Sequence, residues 1–103
     1  MSNEKLGLVK RKKMILAAAI FLSENQGYQN IKRDDIATTS NCANGSINAT
    51  FGTIEKLKRA VMIEAIKSKN LNIIAQGLVH GDLKALAAPD ELKRAALENI
   101  LGV

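Results

Sequence analysis

The chain has 103 residues, 47% of them hydrophobic but only 3% aromatic, and a formal net charge of +5 at pH 7. A chain of this length and composition is predicted to form a single all-α domain with a modest core, and one Cys with one His excludes an internal disulfide and a zinc finger. The longest apolar run, Met14 to Leu22, is too short to span a bilayer, so we expect a cytoplasmic protein with no membrane partner.

The predicted first helix covers residues 8–26 and follows a segment, Met1–Gly7, that is expected to fray. Gly27 is expected to end this helix, and Tyr28 to pack beneath the two short helices predicted for residues 33–51. Within the helix, apolar residues recur at i, i+3, i+4 and i+7, which is typical of a single buried stripe. These core residues are Ile15, Ala18, Ala19 and Leu22.

Positive charge is concentrated in the same part of the chain. Residues 1–59 contain ten Lys/Arg and five Asp/Glu, whereas residues 60–103 contain five of each, so the whole excess of +5 lies in the first part. Lys10–Lys13 is the densest run. By itself such a run is more often the solvated start of a helix, but a cationic surface beside a suitable motif favours attraction to phosphates.

The segment 33–51 is predicted to form two short helices joined by a tight turn. Ala37 is small where the helices would cross, and Asn41 tolerates the left-handed backbone that the turn requires. The second helix is expected from about Asn44 to Ala49, and Gly45 leaves its backbone open to close approach. This order matches a helix-turn-helix, whose second helix enters the DNA major groove, although proteins that bind no DNA also contain such pairs.

The remaining chain is predicted to be helical. Thr53 is expected to cap one long helix from Ile54 to about Leu78, which ends near the turn at residues 80–82. His80 is interpreted as a turn or cap residue. Residues 83–88 are expected to form one helical turn, and Pro89 lies in the first turn of a last helix that ends before Gly102.

An ordered set of residues between positions 15 and 61 matches a known pattern without a gap. The set is Ile15, Leu16, Ala18, Ala19, Leu22, Gly27, Tyr28, Asp35, Ile36, Ala37, Gly45, Ile47, Phe51, Glu55, Leu57, Ala60 and Val61. It resembles the N-terminal DNA-binding domain of the tetracycline-repressor (TetR) family. The resemblance implies a helix-turn-helix headpiece at about residues 8–61. The rest of the chain, about 62–103, is predicted to form a helical self-association element because of its surplus apolar surface.

The sequence also departs from the TetR pattern. The family usually has Gly, Val and Ser where this chain has Asn41, Cys42 and Ala43, so the hydroxyl that caps the second helix of the motif is missing. It usually has Tyr at position 48 and Lys at position 54, which hold phosphates, whereas this chain has Asn48 and Ile54. A Ser or Thr often caps the preceding helix at position 32, and Asn30 is the nearest substitute here.

We therefore expect a sequence-specific regulator of transcription that binds double-stranded DNA as a homodimer or higher oligomer, without a small-molecule inducer. A protein co-regulator is left open as a further partner, and the protein would lie in the cytoplasm, at the nucleoid. The alternative is a helical adaptor that binds another protein and has lost DNA binding. A third hypothesis, that the basic first helix lies on an anionic membrane, is disfavoured because its apolar stripe is needed for the core.

The sequence assigns residues to two sites and none to catalysis, because no catalytic motif is present; no metal or other cofactor is expected. The residues expected to contact DNA are Lys10, Arg11, Lys12, Lys13, Lys32, Arg33, Asn44, Gly45, Ser46, Asn48, Thr50 and Lys56. The residues expected to self-associate are Ile66, Ile73, Ile74, Leu92, Ala96, Leu97 and Ile100, because one chain of this size is expected to lack cover for so many apolar side chains.

Overall fold

The structure is a computed structural model that describes residues 2–102, with side chains from position 7 onward. Within residues 2–102 it confirms the all-α prediction: the chain forms seven α-helices and a short 3-10 turn at Tyr28–Asn30, and no strand. None of these helices has both the length and the apolarity that crossing a bilayer requires. The helices are α1 (Ser2–Gln26), α2 (Arg33–Ser40), α3 (Asn44–Phe51), α4 (Ile54–Ser68), α5 (Leu71–His80), α6 (Leu83–Leu86) and α7 (Asp90–Leu101).

The chain divides into two compact units, which are described separately. The N-terminal unit is Met1–Lys58 and the C-terminal unit is Arg59–Val103, so the boundary falls within α4.

The core of the N-terminal unit forms where α1 packs against α2, α3 and the 3-10 turn. The predicted stripe on α1 is confirmed at Ile15, Ala18 and Ala19, which are buried, while Leu22 is half-buried. The expected fraying up to position 7 is wrong, because α1 begins at Ser2; Met1 lies outside the described residues. A single Gly at position 7 costs a helix only about 1 kcal/mol, and the Glu, Lys and Leu before it are strong helix formers.

The end of α1 follows the prediction closely. Gly27 stops the helix with φ 91° and ψ 134°, and its N–H donates a 2.9 Å hydrogen bond to the carbonyl of Ser23. Tyr28 is buried directly afterwards. Asn30, however, does not cap α2 as expected: its side-chain amide donates to the carbonyl of Gln26 at 2.7 Å, and Lys32 occupies the cap position of α2 without a side-chain cap bond among the described residues.

The helices α2 and α3 have eight residues each and are joined by the three-residue turn 41–43. Asn41 has the predicted left-handed conformation, with φ 59° and ψ 34°. The N–H groups of Asn41 and Cys42 donate to the carbonyls of Thr38 and Ala37 at 3.3 and 3.1 Å, which is the Schellman arrangement that closes a helix. The turn is therefore fixed by backbone hydrogen bonds, and α3 runs two residues further than the expected end at position 49.

The long helix predicted from Ile54 to about Leu78 is wrong, because two helices occupy this stretch. α4 ends at Ser68, and Lys69 adopts a left-handed conformation with φ 58°. The N–H groups of Lys69 and Asn70 donate to the carbonyls of Ile66 and Ala65, and the side chain of Asn70 then accepts from the N–H of Ile73 at 3.2 Å to start α5. One residue pair thus ends one helix and caps the next.

The C-terminal unit packs α5 against α6 and α7. Gly77 lies in the middle of α5, where an added Cβ would come within 2.5 Å of Met62 Cε and 2.7 Å of Ala85 Cβ. Gly102 has the left-handed conformation expected past the end of α7, with φ 75°, whereas Pro89 immediately precedes α7 and does not belong to its first turn. Gly77 therefore allows α5 to lie close to Met62 and Ala85.

Candidate nucleic-acid interface

The residues expected to contact DNA lie on the surface of the N-terminal unit, with two half-buried exceptions, Ser46 and Thr50. The exposed ones are Lys10, Arg11, Lys12, Lys13, Lys32, Arg33, Asn44, Gly45, Asn48 and Lys56. This unit, residues 1–58, carries nine Lys/Arg and five Asp/Glu, a net charge of +4, while residues 59–103 carry six and five, a net charge of +1. The positive charge therefore belongs mainly to the unit that contains α2 and α3.

The basic run on α1 adjoins the C-terminal end of α3. Leu8, Val9, Arg11 and Lys12 of α1 line a groove of about 290 Å³ together with Ala49 and Thr50 of α3. Lys12 Nζ also lies 5.9 Å from the centroid of the Phe51 ring, a cation–π geometry that contributes about 0.5–1 kcal/mol at an exposed site. The carbonyl end of α3 carries partial negative charge, which favours a cation at this position as well.

A second group of basic residues lies elsewhere on the unit. Lys32 and Lys58 line a cleft of about 610 Å³ with Asp35 and with Gln26 at the end of α1. Lys12 and Gln26 are fourteen residues apart on the same helix, which is about 21 Å at 1.5 Å per residue. The structure therefore brings Arg11 and Lys12 to α3 but leaves Lys32 with a separate cleft.

The outer face of α3 is small and polar. Asn44, Gly45 and Asn48 are exposed, and their i, i+1 and i+4 spacing places them on one side of the helix, while Ile47 is buried. A Cβ added at Gly45 would meet no described atom within 4 Å. The hydroxyl of Thr50 donates to the carbonyl of Ser46 at 2.7 Å, so its hydrogen is used within the helix. The two asparagines are the exposed side chains on this face with base-reading chemistry.

A hydrogen bond joins the start of α3 to the start of α2. Asn44 Nδ2 donates to Asp34 Oδ1 at 3.0 Å, and both side chains are exposed. Asp34 lies in the first turn of α2, where a carboxylate interacts favourably with the helix dipole. Sequence reasoning missed the contact with Asn44, because only the folded turn brings positions ten residues apart together.

The residues expected to self-associate differ in burial: some are fully buried within the chain, and others are half-buried or exposed. Ile73, Ile74 and Ala96 are fully buried, as is Met62, so the premise that one chain cannot cover them is wrong: the packing of α5, α6 and α7 already removes these residues from water. Ile66 and Leu92 are half-buried. Leu97 and Ile100 are 45% and 49% exposed, and Leu101 beside them is 74% exposed. The apolar surface left on α7 is therefore the stripe Leu97, Ile100 and Leu101.

No group of three or more His, Cys, Asp or Glu within the described part of the chain is arranged to hold a metal ion. Comparison with protein-family models, with curated proteins and with solved structures gives no match to this chain. The resemblance to the TetR family therefore rests on the residue pattern alone.

Proposed function

We propose that the N-terminal unit binds double-stranded DNA sequence-specifically, with α3 in the major groove, and that the protein regulates transcription. The supporting observation is the exposed polar face of α3, with Asn44, Gly45 and Asn48, next to the basic run of α1. An Asn side chain pairs with adenine through two hydrogen bonds in the major groove, and Lys or Arg side chains bind phosphates on either side. Under this proposal α3 reads bases and α1 holds the backbone.

The proposal includes self-association through α7 and no small-molecule inducer. Leu97, Ile100 and Leu101 are spaced at i, i+3 and i+4, so they form one exposed apolar stripe. Burying such a stripe between two copies stabilises the pair by about 25 cal/mol per Å² of apolar surface. A two-fold pair also presents two reading helices to successive turns of the major groove, about 34 Å apart.

A second candidate function is a helical adaptor that binds another protein. One observation favours it: the groove between α1 and α3 exposes Leu8 and Val9, which are 58% and 52% accessible, next to Ala49. Apolar side chains at this place would suit a protein surface better than a phosphate backbone. The absence of Tyr at position 48 and of Lys at position 54 points the same way.

Binding to duplex DNA over a range of salt concentrations tests the proposal. If a dimer neutralises about six phosphates, a plot of log K against log salt should have a slope of about −5, from about 0.9 per phosphate. Replacing Lys12 and Lys13 by Gln should weaken all duplexes alike, and the slope should become less negative by about 0.9 for each phosphate that is no longer neutralised.

The matched control is the replacement of Lys84 and Arg94 by Gln, because both are exposed but lie in the C-terminal unit. This variant carries the same change of net charge and should bind with little change in slope. No binding to any duplex at low salt, or a complex that salt does not weaken, would contradict the DNA proposal and favour the adaptor. Equal losses in the two double variants would mean that α1 does not hold the phosphates.

A further inference from the structure

We infer that Asp34 is a positioning residue for base reading, because its carboxylate fixes the orientation of the Asn44 side-chain amide at the start of α3. The inference rests on the proposed function and deepens it. Its basis is the 3.0 Å hydrogen bond from Asn44 Nδ2 to Asp34 Oδ1, which joins two helices on the exposed side of the turn. Asp34 would act through Asn44 and would touch no base.

The chemistry of the two groups makes this contact selective for one orientation. A carboxylate only accepts hydrogen bonds, whereas an Asn amide has a donor side with two N–H bonds and an acceptor oxygen. Asp34 therefore favours the rotamer that turns the nitrogen toward it and disfavours the flipped one. The second N–H and the oxygen of Asn44 are left to pair with N7 and the N6 amino group of adenine, which are the two atoms that an Asn reads.

The negative charge of Asp34 has an opposite effect on affinity. A carboxylate near the DNA repels phosphates within about 10 Å, the screening length at 0.1 M salt, and this repulsion does not depend on sequence. Asp34 should thus lower the affinity for every duplex while it raises the preference for adenine at one position. A residue that only stabilised the fold would not produce these two opposite effects.

Asp35 provides a matched control. It has the same charge and lies in the same first turn of α2, so its effect on the helix dipole is comparable. Its side chain lines the separate cleft with Lys32 and Lys58. The conservative variant Asp34→Asn supplies an intermediate case, because it removes the charge and its amide can either accept from Asn44 or donate to it, so it selects one orientation less strongly.

The first measurement needs no DNA. In the free protein, the side-chain amide protons of Asn44 should shift in NMR spectra and exchange faster with water in Asp34→Ala. They should be little changed in Asp35→Ala, and Asp34→Asn should keep part of the protection. Identical Asn44 signals in the wild type and in Asp34→Ala would overturn the inference, because the amide would then not be held in solution.

The second measurement uses a duplex selected by the wild-type protein from a random library, together with its single-base-pair variants. Asn44→Ala identifies the base pair that Asn44 reads. At that pair Asp34→Ala should lose about fivefold or more of the discrimination, at the low end of what a bidentate pair supplies, while it binds unrelated duplexes more tightly. Asp35→Ala should keep the discrimination, and Asp34→Asn should keep only part of it. Adding Asp34→Ala to Asn44→Ala should cause no further loss at that pair.

The possible failures are distinguishable. If the wild-type protein selects no duplex, the proposed function is wrong and the inference falls with it. If it selects one and Asp34→Ala keeps full discrimination at the pair read by Asn44, only the inference is wrong. If Asp34→Ala and Asp35→Ala lose discrimination equally, the carboxylates act through the helix and not through Asn44, which also overturns the inference.

Discussion

The helices α2 and α3 of the N-terminal unit differ from α5 and α6 of the C-terminal unit in how their first turns are capped. In the C-terminal unit, the side chain of Asn70 accepts from Ile73 at the start of α5, and that of Asp82 accepts from two N–H groups at the start of α6. In the N-terminal unit, Lys32 and Ala43 occupy the cap positions of α2 and α3 without a side-chain cap bond in the described structure. The two helices proposed to meet DNA thus have uncapped first turns, as does α7 of the C-terminal unit, which follows Pro89.

The missing side-chain cap at the start of α3 is compatible with the proposed binding of DNA. The first N–H groups of a helix have no partner within the helix, and a negatively charged group beyond the N-terminus can bind them. A side-chain cap at Ala43 would occupy one of these donors. The start of α3 therefore has lower local stability but keeps its donors available to a phosphate, whereas α5 and α6 are stabilised at their own ends.

The largest expected effect concerns the exposed apolar stripe on α7. Ile100→Asp in α7 should raise the dissociation constant of a symmetric pair by an amount equivalent to about 1.5–3 kcal/mol, since each copy loses the burial of the exposed half of one large aliphatic side chain. Phe21→Asp is the matched control in the N-terminal unit, where Phe21 is similarly exposed at 57%. Sedimentation analysis should show dissociation for the first variant alone. If the wild-type protein is a monomer at high micromolar concentration, the proposed assembly is wrong.

The next effect contrasts two glycines within helices. Gly77→Ala should destabilise the fold by about 1–3 kcal/mol, because its Cβ would lie 2.7 Å from Ala85 Cβ, which cannot rotate away. Gly45→Ala should stabilise it by about 0.4–1 kcal/mol, because the site is open and Ala favours a helix. Thermal or urea unfolding measures both. A stabilising Gly77→Ala would show that α5 does not pack closely against Ala85 in solution.

The smallest effect tests the capping difference directly. Asn70→Ala should destabilise the fold by about 1 kcal/mol through loss of the cap of α5. Ala43→Ser should stabilise it by about 0.5–1 kcal/mol, because Ala43 has the extended backbone that a cap residue needs, with φ −74° and ψ 152°. Unfolding in urea gives both values. On the proposed function Ala43→Ser should also weaken DNA binding slightly; tighter binding would count against a role for the uncapped N–H groups.

Sequence patterns predicted most helix boundaries of the N-terminal unit, because these boundaries depend on the local preferences of single residues. Gly27, Asn41 and Thr53 each have a conformational or capping preference strong enough to fix a helix end, and the Lys56 N–H does donate to Thr53 Oγ1 at 3.2 Å. The break after α4 was missed because Lys69 has no special preference for a left-handed backbone, and the apolar periodicity continues into α5. A residue that adopts a costly conformation under tertiary packing leaves little trace in the sequence.

The candidate site was predictable in composition but not in arrangement. The basic run and the exposed Asn residues were found from the sequence, because charge and helical spacing are local properties. The separation of Lys32 from Lys12, and the contact of Asp34 with Asn44, depend on how α1, α2 and α3 pack and could not be found in the same way. The cover of Ile73 and Ile74 was missed for the same reason, since it comes from helices that follow later in the chain.

Both residues of the junction between α4 and α5 have a structural role, so the length of the junction is constrained. Only Lys69 and Asn70 separate the two helices. Lys69 turns the backbone, while Asn70 both closes α4 and caps α5. Each residue advances an α-helix by about 100°, so one residue more or fewer would turn the whole apolar face of α5 away from α6 and α7 unless the junction were rebuilt. Most surface loops accept insertions. The α4–α5 junction has no spare residue, so it should be among the connections least tolerant of an insertion.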